Sequence, residues 1–291
     1  MSATAAPLAM QRRGRRRVRW LRSPSGRLGL LLCAIVLLVA FVGPLFAPHT
    51  PTEVITRAYA PHGHAGLALG SDYLGRDVVS RVLWGGRSLI IMPLLATLVA
   101  YVIGGVLALI ATVVGGWLGE LLMRGFDVLL VFPGLLLALL LVTALGKSLT
   151  TAFIAIVLLQ IPAVARIFYS AAIEVTNRGY VEAAVARGER LSHLLTREIL
   201  PNIAGTIAAD FGPRLIASVF LIAALGFLGF GAEAPDANWA LMITENRSGI
   251  TINGYAVFVP VAAIAMLTIG VSLVSDAIAR SIGTADDEAI G

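Results

Sequence analysis

The segment YVEAAVARGERLSHLLTREILP, Tyr180–Pro201, is a charged stretch between two long apolar runs. Leu149–Ile173 precedes it and Asn202–Gly231 follows it, and each run is long enough to cross a bilayer core of about 30 Å. A chain that keeps a polar segment between two such spans is expected to present that segment to a partner outside the bilayer. The sequence therefore predicts a membrane protein with a polar recognition element between two of its spans.

Two short helices joined by a glycine are predicted within this segment. Asn177 can cap the first helix, Gly188 is the type of residue that ends one, and Pro201 can stop the second and open the next span. We therefore expect a bent, rigid lever between two spans, and a long loop with incidental helicity is the alternative. The second helix carries an apolar stripe at helical spacing, formed by Leu191, Leu194, Leu195 and Ile199.

The composition requires lipid as the solvent for most of the chain. Of 291 residues, 58% are hydrophobic and 13% are charged, and the mean hydropathy is +0.87. Soluble domains carry about a quarter charged residues. The single cysteine, Cys33, cannot form an internal disulfide.

The basic residues indicate membrane orientation and not nucleic-acid binding. Lysine and arginine exceed aspartate and glutamate by 22 to 17, but eight of the arginines stand just before the first apolar run. That placement is typical of an orientation signal at an anionic membrane face, and no soluble module accompanies it. The eight are Arg12, Arg13, Arg15, Arg16, Arg17, Arg19, Arg22 and Arg27.

Six apolar runs predict an all-α integral membrane protein with six transmembrane helices. A basic tail, residues 1–27, precedes a membrane domain of residues 28–281, and residues 282–291 form a polar, acidic tail. A cleavable signal peptide is the alternative for the first run, but its length and the later spans favour an uncleaved anchor. The predicted spans are Leu28–Ala47, Ser88–Trp117, Val128–Leu145, Leu149–Ile173, Asn202–Gly231 and Tyr255–Ile278.

The distribution of basic residues predicts that both termini are cytoplasmic. With the N-terminus inside, inner segments hold fifteen lysines and arginines and outer segments hold six. This orientation makes residues 48–87 and 232–254 external loops and places the segment 174–201 in the cytoplasm. The first external loop is predicted to end in an amphipathic helix, because Val78, Val79, Val82 and Leu83 recur at helical offsets.

Several motifs with catalytic or ligand-binding associations are rejected. Gly146-Lys147-Ser148 resembles the end of a P-loop, but position 141 is leucine where that loop needs glycine, and the tripeptide lies between two spans. We predict a tight turn there and no nucleotide site in this chain. His62 and His64 lack acidic or cysteine partners nearby, so no metal site is predicted. An intramembrane enzyme is disfavoured because no predicted span contains a histidine, HExxH or GxSxG.

Four polar residues within the spans are candidates for a translocation pathway: Gln160, Arg166, Asp210 and Arg214. Polar groups in a span are costly and usually face protein or water. Asp210 and Arg214 stand four residues apart on one helical face, so a structural ion pair is the favoured alternative for these two. A secondary transporter would need relay or ion-coordinating acids at mid-membrane, and Asp210 already has an arginine beside it.

The opening segment resembles the EAA signature of ABC-importer permeases. The resemblance lies in Glu182-Ala183-Ala184, then Gly188 after three residues, then Glu198-Ile199-Leu200-Pro201 after nine more. Glu198 stands where the general form of the signature prefers an aliphatic residue. In that family the signature forms a coupling helix that docks on the ATPase subunit. The resemblance therefore assigns ATPase coupling to Tyr180, Glu182, Ala183, Ala184, Arg187, Gly188, Leu200 and Pro201.

A second motif resembles the external segment of peptide and nickel importer permeases, in particular the C-type member of the permease pair. Leu69-Gly70-Ser71-Asp72 with Gly75-Arg76-Asp77, Ser80-Arg81 and Gly86-Arg87 looks like that family's LGTDxxGRDxxSR…GxR segment. Phe227-Leu228-Gly229-Phe230-Gly231 with Pro235 and Trp239 resembles a further stretch of that family. The closing Asp-Pro usual in the family is missing after Asp276. The matching external residues are Gly70, Asp72, Gly75, Arg76, Asp77, Ser80, Arg81 and Arg87.

The resemblance implies an ABC type I importer permease fold in a bacterial cytoplasmic membrane. It implies a non-catalytic subunit that pairs with a B-type permease, two cytoplasmic ATPase domains and an external solute-binding protein. ATP and Mg²⁺ would be bound by the ATPase partners, and this chain would bind no cofactor. Oligopeptides are the first expectation for the substrate, and dipeptides, nickel chelates and glutathione are the alternatives.

Overall fold

Long apolar stretches fold as helices because a bilayer offers no water to bond to the peptide groups, and a helix pairs those groups internally. The computed structural model describes residues 23–177, 179, 184, 187–190, 193–231 and 235–290, and it is helical throughout apart from turns, loops and two isolated β-bridges. The helices are α1 Pro24–Phe41, α2 Val78–Trp84, α3 Gly86–Val114, α4 Gly116–Val131, α5 Gly134–Leu145, α6 Leu149–Thr176, α7 Leu200–Phe227, α8 Trp239–Asn246 and α9 Tyr255–Ile290.

The predicted fold class is confirmed. Five helical stretches are long and apolar enough to cross a membrane, and α4 with α5 makes a sixth if that bent pair is counted as one span. The amphipathic helix expected after the first loop is α2, which Asp77 caps by accepting hydrogen bonds from Val79 N and Ser80 N, both at 3.1 Å. The turn predicted at residues 146–148 is also present, with Gly146 ending α5 and Ser148 capping α6.

The third predicted span is not one straight helix. Residues 118–127, which separate the second and third predicted spans, are helical and belong to α4, and α4 and α5 meet at an angle of 90°. The bend falls at Phe132-Pro133, where Phe132 is extended with φ −78° and ψ 138°. A residue before proline is pushed out of the helical region by the proline ring, and proline offers no N–H to continue the helix.

The second helix of the segment does not stop at Pro201 as predicted. A π-helical turn, Leu194–Ile199, runs directly into α7, and together they form a continuous apolar helix of 34 residues, Leu194–Phe227. The N–H of Leu200 bonds to the carbonyl of Leu195, the wider spacing of a π-helix. Because Pro201 lies in the first turn of α7, its missing N–H is tolerated there.

Small residues allow the helices to approach closely, as expected where lipid removes the hydrophobic driving force between helices. The contact between α3 and α6 is the most extensive of the described helix pairs. At Gly104 in α3, a Cβ atom would lie 2.9 Å from the carbonyl oxygen of Ile161 in α6, and at Gly105 it would lie 2.7 Å from the Phe168 ring. The backbones of α3 and α6 can therefore pack at this distance only because these positions carry no side chain.

Two more helix pairs use the same device. A Cβ at Gly29 in α1 would lie 2.8 Å from the carbonyl oxygen of Gly270 in α9, and a Cβ at Gly212 in α7 would lie 2.3 Å from Ser275 in α9.

The main apolar core forms where α3, α6 and α7 meet, beneath α8. Its fully buried members include Leu89, Ala96, Ala100, Ile156, Trp239 and Met242.

We predict that Gly104→Val lowers the free energy of unfolding by about 1–3 kcal/mol, because the added side chain overpacks the contact between α3 and α6. Gly125→Val is the matched control, since Gly125 is also helical and a Cβ there meets no atom within 4 Å. Thermal unfolding of the purified protein in detergent measures both. Equal losses in the two variants would show that close helix approach at Gly104 is not what stabilises the bundle.

Candidate functional site

A buried cluster of four charged side chains ties two distant loops together. Arg76 Nε lies 2.6 Å from Asp72 Oδ2, and Arg81 Nε lies 3.4 Å from the same oxygen. The terminal nitrogens of both arginines reach Glu245 Oε2, at 3.2 Å from Arg76 and 3.0 Å from Arg81. All four side chains are buried, and the two charges of each sign balance.

The backbone around Asp72 is shaped to place these charges. Asp72 Oδ1 accepts hydrogen bonds from the N–H groups of Leu74 and Arg76, each at 2.9 Å, which closes a tight turn. Gly75 in that turn has φ 86°, and a Cβ there would lie 1.8 Å from the carbonyl oxygen of Thr56. Only glycine fits this position, which explains why a glycine precedes Arg76 in the motif.

The second loop is held by amides as well as by Glu245. Asn246 Oδ1 accepts a hydrogen bond from Tyr73 N at 2.9 Å, and Asn253 Nδ2 donates to the carbonyl oxygens of Leu69 and Ser71 at 3.0 and 2.9 Å. The Tyr73 hydroxyl donates to Glu245 Oε1 at 3.0 Å. Burial and the neighbouring Glu245 carboxylate raise the pKa of Tyr73 above its ordinary value, so the hydroxyl stays a donor at neutral pH.

The remaining motif residues anchor this structure to the helices. Asp77 Oδ2 accepts from the Ser80 hydroxyl at 2.6 Å, and Arg87 donates to the carbonyl oxygens of Ala40 and Phe41 at the end of α1. Trp239 is fully buried and donates from Nε1 to the carbonyl of Val82 at 2.8 Å. We call residues 48–87 with 235–254 the loop cap. The predicted external motif is the scaffold of this cap, and both loops lie at the same end of the bundle, as the predicted topology requires.

The described part of the predicted coupling segment contains a glycine-terminated turn. Gly188 has φ 72°, and the N–H of Glu189 bonds to the carbonyl of Ala184 at 3.3 Å, five residues back. This is the bond of a Schellman motif, which ends a helix at a left-handed glycine, as the sequence predicts. Tyr180, Glu182 and Ala183 lie outside the described residues.

Ala184 occupies a different environment from the one expected. The sequence suggested that Ala184 gives another protein close approach, but its side chain is only 1% exposed and packs within its own chain. Its neighbours in that cluster are apolar residues of α6, the π-turn and α7, including Val175, Leu194, Ile199 and Ile203. The residues left accessible near it are Arg187 and Gly188, with Leu200 and Pro201 exposed at the start of α7.

The four candidate pathway residues line two cavities or stand beside them. A cavity of about 580 Å³ lies between α4 and α6, where Arg166 pairs with Asp127 and both are accessible. A second cavity of about 340 Å³ lies farther along the same two helices, at the bend between α4 and α5, and Gln160 and Arg214 line it. Both cavities thus lie along α4 and α6 and have polar groups in their walls.

Asp210 and Arg214 form the predicted ion pair, with Arg214 Nε 3.2 Å from Asp210 Oδ2. The Tyr101 hydroxyl donates to the same oxygen at 2.7 Å. Gln160 joins a buried polar group with Thr97 and Ser218, whose hydroxyl oxygens lie 2.7 Å apart. Each of the four candidate pathway residues therefore has a protein partner on at least one atom.

Comparison with known proteins identifies the family. Residues 100–284 match the family described as binding-protein-dependent transport system inner membrane component. The chain is 31% identical over 253 residues to the dipeptide transport system permease protein DppC of Alkalihalophilus pseudofirmus, covering 85% of this chain and 82% of that protein. It is 35% identical over 208 residues to the glutathione transport system permease protein GsiD of Pectobacterium atrosepticum, covering 72% and 69%.

The chain belongs to this family of inner membrane transport components. A solved chain of the MetNI methionine ABC transporter, in an inward-facing conformation, has the same fold, with a TM-score of 0.55 and 17% identity over 68% of this chain and 94% of that chain. The permease is thus a multi-pass inner membrane protein, and its family implies a binding protein and an ATPase as partners. The expected ABC type I importer permease fold is confirmed.

Sequence reasoning missed the partners of the permease's external motif residues and of its candidate pathway residues. Glu245 was not singled out, although an acidic residue in the other predicted external loop is a natural partner for Arg76 and Arg81. Tyr101 was missed because a tyrosine in an apolar run gives no periodic signal. Thr97 and Ser218 were missed for the same reason.

We predict that Glu245→Gln destabilises the permease by about 3–5 kcal/mol, because it leaves two buried guanidinium groups facing one carboxylate. The matched control is Glu120→Gln, which breaks the pair of Glu120 and Arg124, 3.5 Å apart with side chains 64% and 77% exposed. That change should cost less than about 1 kcal/mol. Thermal unfolding in detergent compares the two, and a similar small loss in both would contradict a stabilising role for the buried cluster.

Proposed function

We propose that this chain is one of two membrane subunits of an ATP-driven importer of peptides. What supports the substrate class is the match to permeases named for dipeptide, D,D-dipeptide and glutathione transport, over two thirds or more of both chains. Oligopeptides remain the first expectation from the motif resemblance. Dipeptides and glutathione-like peptides are the alternatives that the relatives' names favour, and nickel chelates are the remaining one.

The proposed assembly has four kinds of component. A second permease of the B-type completes the membrane pore, an external solute-binding protein delivers the peptide, and two cytoplasmic ATPase domains drive the cycle. ATP and Mg²⁺ are bound by the ATPase partners, and this chain contributes no catalytic residue. Both of its termini lie in the cytoplasm, so that the turn at Arg187–Arg190 faces the ATPases and the loop cap faces the binding protein.

The geometry suggests how movement of the ATPases reaches the pore. The 34-residue helix Leu194–Phe227 begins beside the Gly188 turn and spans about 50 Å at 1.5 Å per residue. Ala184 belongs to one buried apolar cluster with residues of α6, the π-turn and α7. A displacement of the exposed turn therefore moves α6 and α7 together, and these helices carry Gln160, Asp210 and Arg214.

A secondary transporter is a weaker alternative. Its coupling would need an acid that binds and releases an ion at mid-membrane. Among the four candidate pathway residues the acid is Asp210, and both Arg214 and Tyr101 hold its Oδ2 atom.

We predict that Gly188→Val separates ATP hydrolysis from peptide uptake. A β-branched residue at φ 72° costs about 1–2 kcal/mol and shifts the turn, so uptake should fall about tenfold while the assembled complex still hydrolyses ATP. Both rates are measured in proteoliposomes that contain the complete transporter and its binding protein, with peptides of graded length as competitors.

Gly229→Val is the matched control for this experiment. Gly229 also has positive φ, 79°, and open space around its Cβ position, but it lies just past the end of α7 that is farthest from the Gly188 turn. It should preserve both activities. Normal uptake by Gly188→Val would contradict the coupling role, and absence of ATP-dependent peptide uptake by the unaltered complex would contradict the proposed function itself.

A further inference from the structure

The cavity at the bend between α4 and α5 has polar groups on one wall and apolar groups on the others. Its volume of about 340 Å³ lies within the range of small-ligand sites. The wall formed by α6 and α7 supplies Gln160, Arg214 and Ser218, whereas the bend supplies apolar residues such as Leu130 and Phe132. This wall presents two polar groups whose bonding within the chain is incomplete.

Arg214 is the first of these groups. Its Nε donates to Asp210, but its two terminal nitrogens make no hydrogen bond to the part of the chain that the structure describes. The side chain is 28% exposed and lines the cavity. Because Tyr101 also donates to Asp210 Oδ2, that carboxylate is shared between two donors. The guanidinium therefore pairs its charge with Asp210 through Nε, and the four N–H donors on its two terminal nitrogens have no partner among the described residues.

Gln160 is the second group. Its side chain is 7% exposed, and its Nε2 donates to the hydroxyls of Thr97 and Ser218. Its Oε1 is buried and has no hydrogen-bond partner among the described residues. A buried acceptor left unpaired costs about 1–3 kcal/mol, so an N–H group that reached Gln160 Oε1 would remove this cost.

The spacing of the two groups identifies what fits them. Ser218 follows Arg214 by one helical turn, about 6 Å along α7, and its hydroxyl holds Gln160. The wall thus offers the N–H donors of the Arg214 terminal nitrogens and, beside a residue one helical turn farther along α7, one acceptor on Gln160. Two extended residues of a peptide span about 7 Å. The terminal carboxylate of a peptide and a preceding amide N–H are therefore separated by a distance similar to one helical turn of α7.

We infer that this cavity binds the C-terminal end of a peptide substrate, with the carboxylate on the terminal nitrogens of Arg214 and a main-chain N–H donating to Gln160 Oε1. This inference rests on the proposed function and adds a substrate subsite to it. The contacts use only groups common to all peptides, so the site accepts any side chain. The apolar bend around Phe132 forms the opposite wall.

The test compares uptake of trialanine with uptake of trialanine amide, which lacks the carboxylate charge. Both are measured in proteoliposomes that contain the complete transporter, with the same binding protein in every arm, so that its own selectivity cancels between variants. Arg214→Gln should lower the acid-to-amide uptake ratio about tenfold relative to the unaltered transporter, because hydrogen bonds to a charged group contribute about 1.5–3 kcal/mol.

Lys147→Gln is the control, because it also removes one positive charge from the membrane domain but outside this cavity, where Lys147 lies 4.6 Å from the centre of the Phe230 ring. It should leave the ratio unchanged. If Arg214→Gln alone fails to assemble, the double variant Asp210→Asn with Arg214→Gln leaves no unpaired carboxylate and takes its place.

The outcomes are separable. If the acid-to-amide uptake ratio is unchanged in the Arg214 variants, or if uptake of the acid and of the amide falls equally, the subsite is overturned and peptide import is not. An unchanged ratio is also the result expected if a side chain of the second permease fills the cavity. Absence of uptake by the unaltered transporter would overturn the proposed function, and the subsite with it.

Discussion

A polar group inside a bilayer has no water to bond to, and this constraint organises the whole molecule. It makes each span a helix, and it removes the hydrophobic force that would press those helices together. The chain responds with glycines at the helix contacts, such as Gly104 and Gly212, where backbones meet at distances that no side chain would allow. It also requires every polar side chain in the spans to find a partner or a cavity, and this requirement brings Gln160 and Arg214 to the same wall.

The loop cap applies the same rule at the end of the bundle. Arg76 and Arg81 are buried there because Asp72 and Glu245 neutralise them, and Arg81 also donates to the backbone carbonyls of Pro51 and Asp236. Such a cluster is a specific connection between loops more than 160 residues apart in sequence. In the proposed mechanism the loop cap stays rigid at one end of the bundle and the Gly188 turn moves at the other. This movement tilts α6 and α7 together, beside the cavity that both helices line.

Hydropathy was sufficient to predict the helical class and the positions of the apolar runs, because crossing a bilayer demands a long apolar stretch whatever its neighbours are. It could not predict the right-angle bend at Pro133, since a hydropathy average does not register the extended backbone before a proline. It also could not predict that the helix continues through Pro201, because the π-turn that accommodates the proline is a backbone adjustment with no residue pattern of its own.

The motif residues of the loop cap were found from the sequence, but their roles were not. Arg76 and Arg81 stand near each other in the chain, whereas Glu245 joins them only through the folded structure. Ala184 is a similar case. A small residue four positions before a glycine is equally suited to meeting a partner or its own chain, and in the structure Ala184 is buried in a cluster with Val175 and Ile203.

The central claim is that the turn at Arg187–Arg190 contacts the ATPase, and site-directed crosslinking tests it most directly. In a Cys33→Ser background, which leaves no native cysteine, Arg187→Cys is compared with Ile252→Cys, since both positions are exposed but Ile252 lies in the loop cap. We predict that the cysteine at 187 crosslinks to the ATPase subunit and that the cysteine at 252 does not. A crosslink to the ATPase from position 252, with none from 187, would contradict both the coupling role and the cytoplasmic location of the turn.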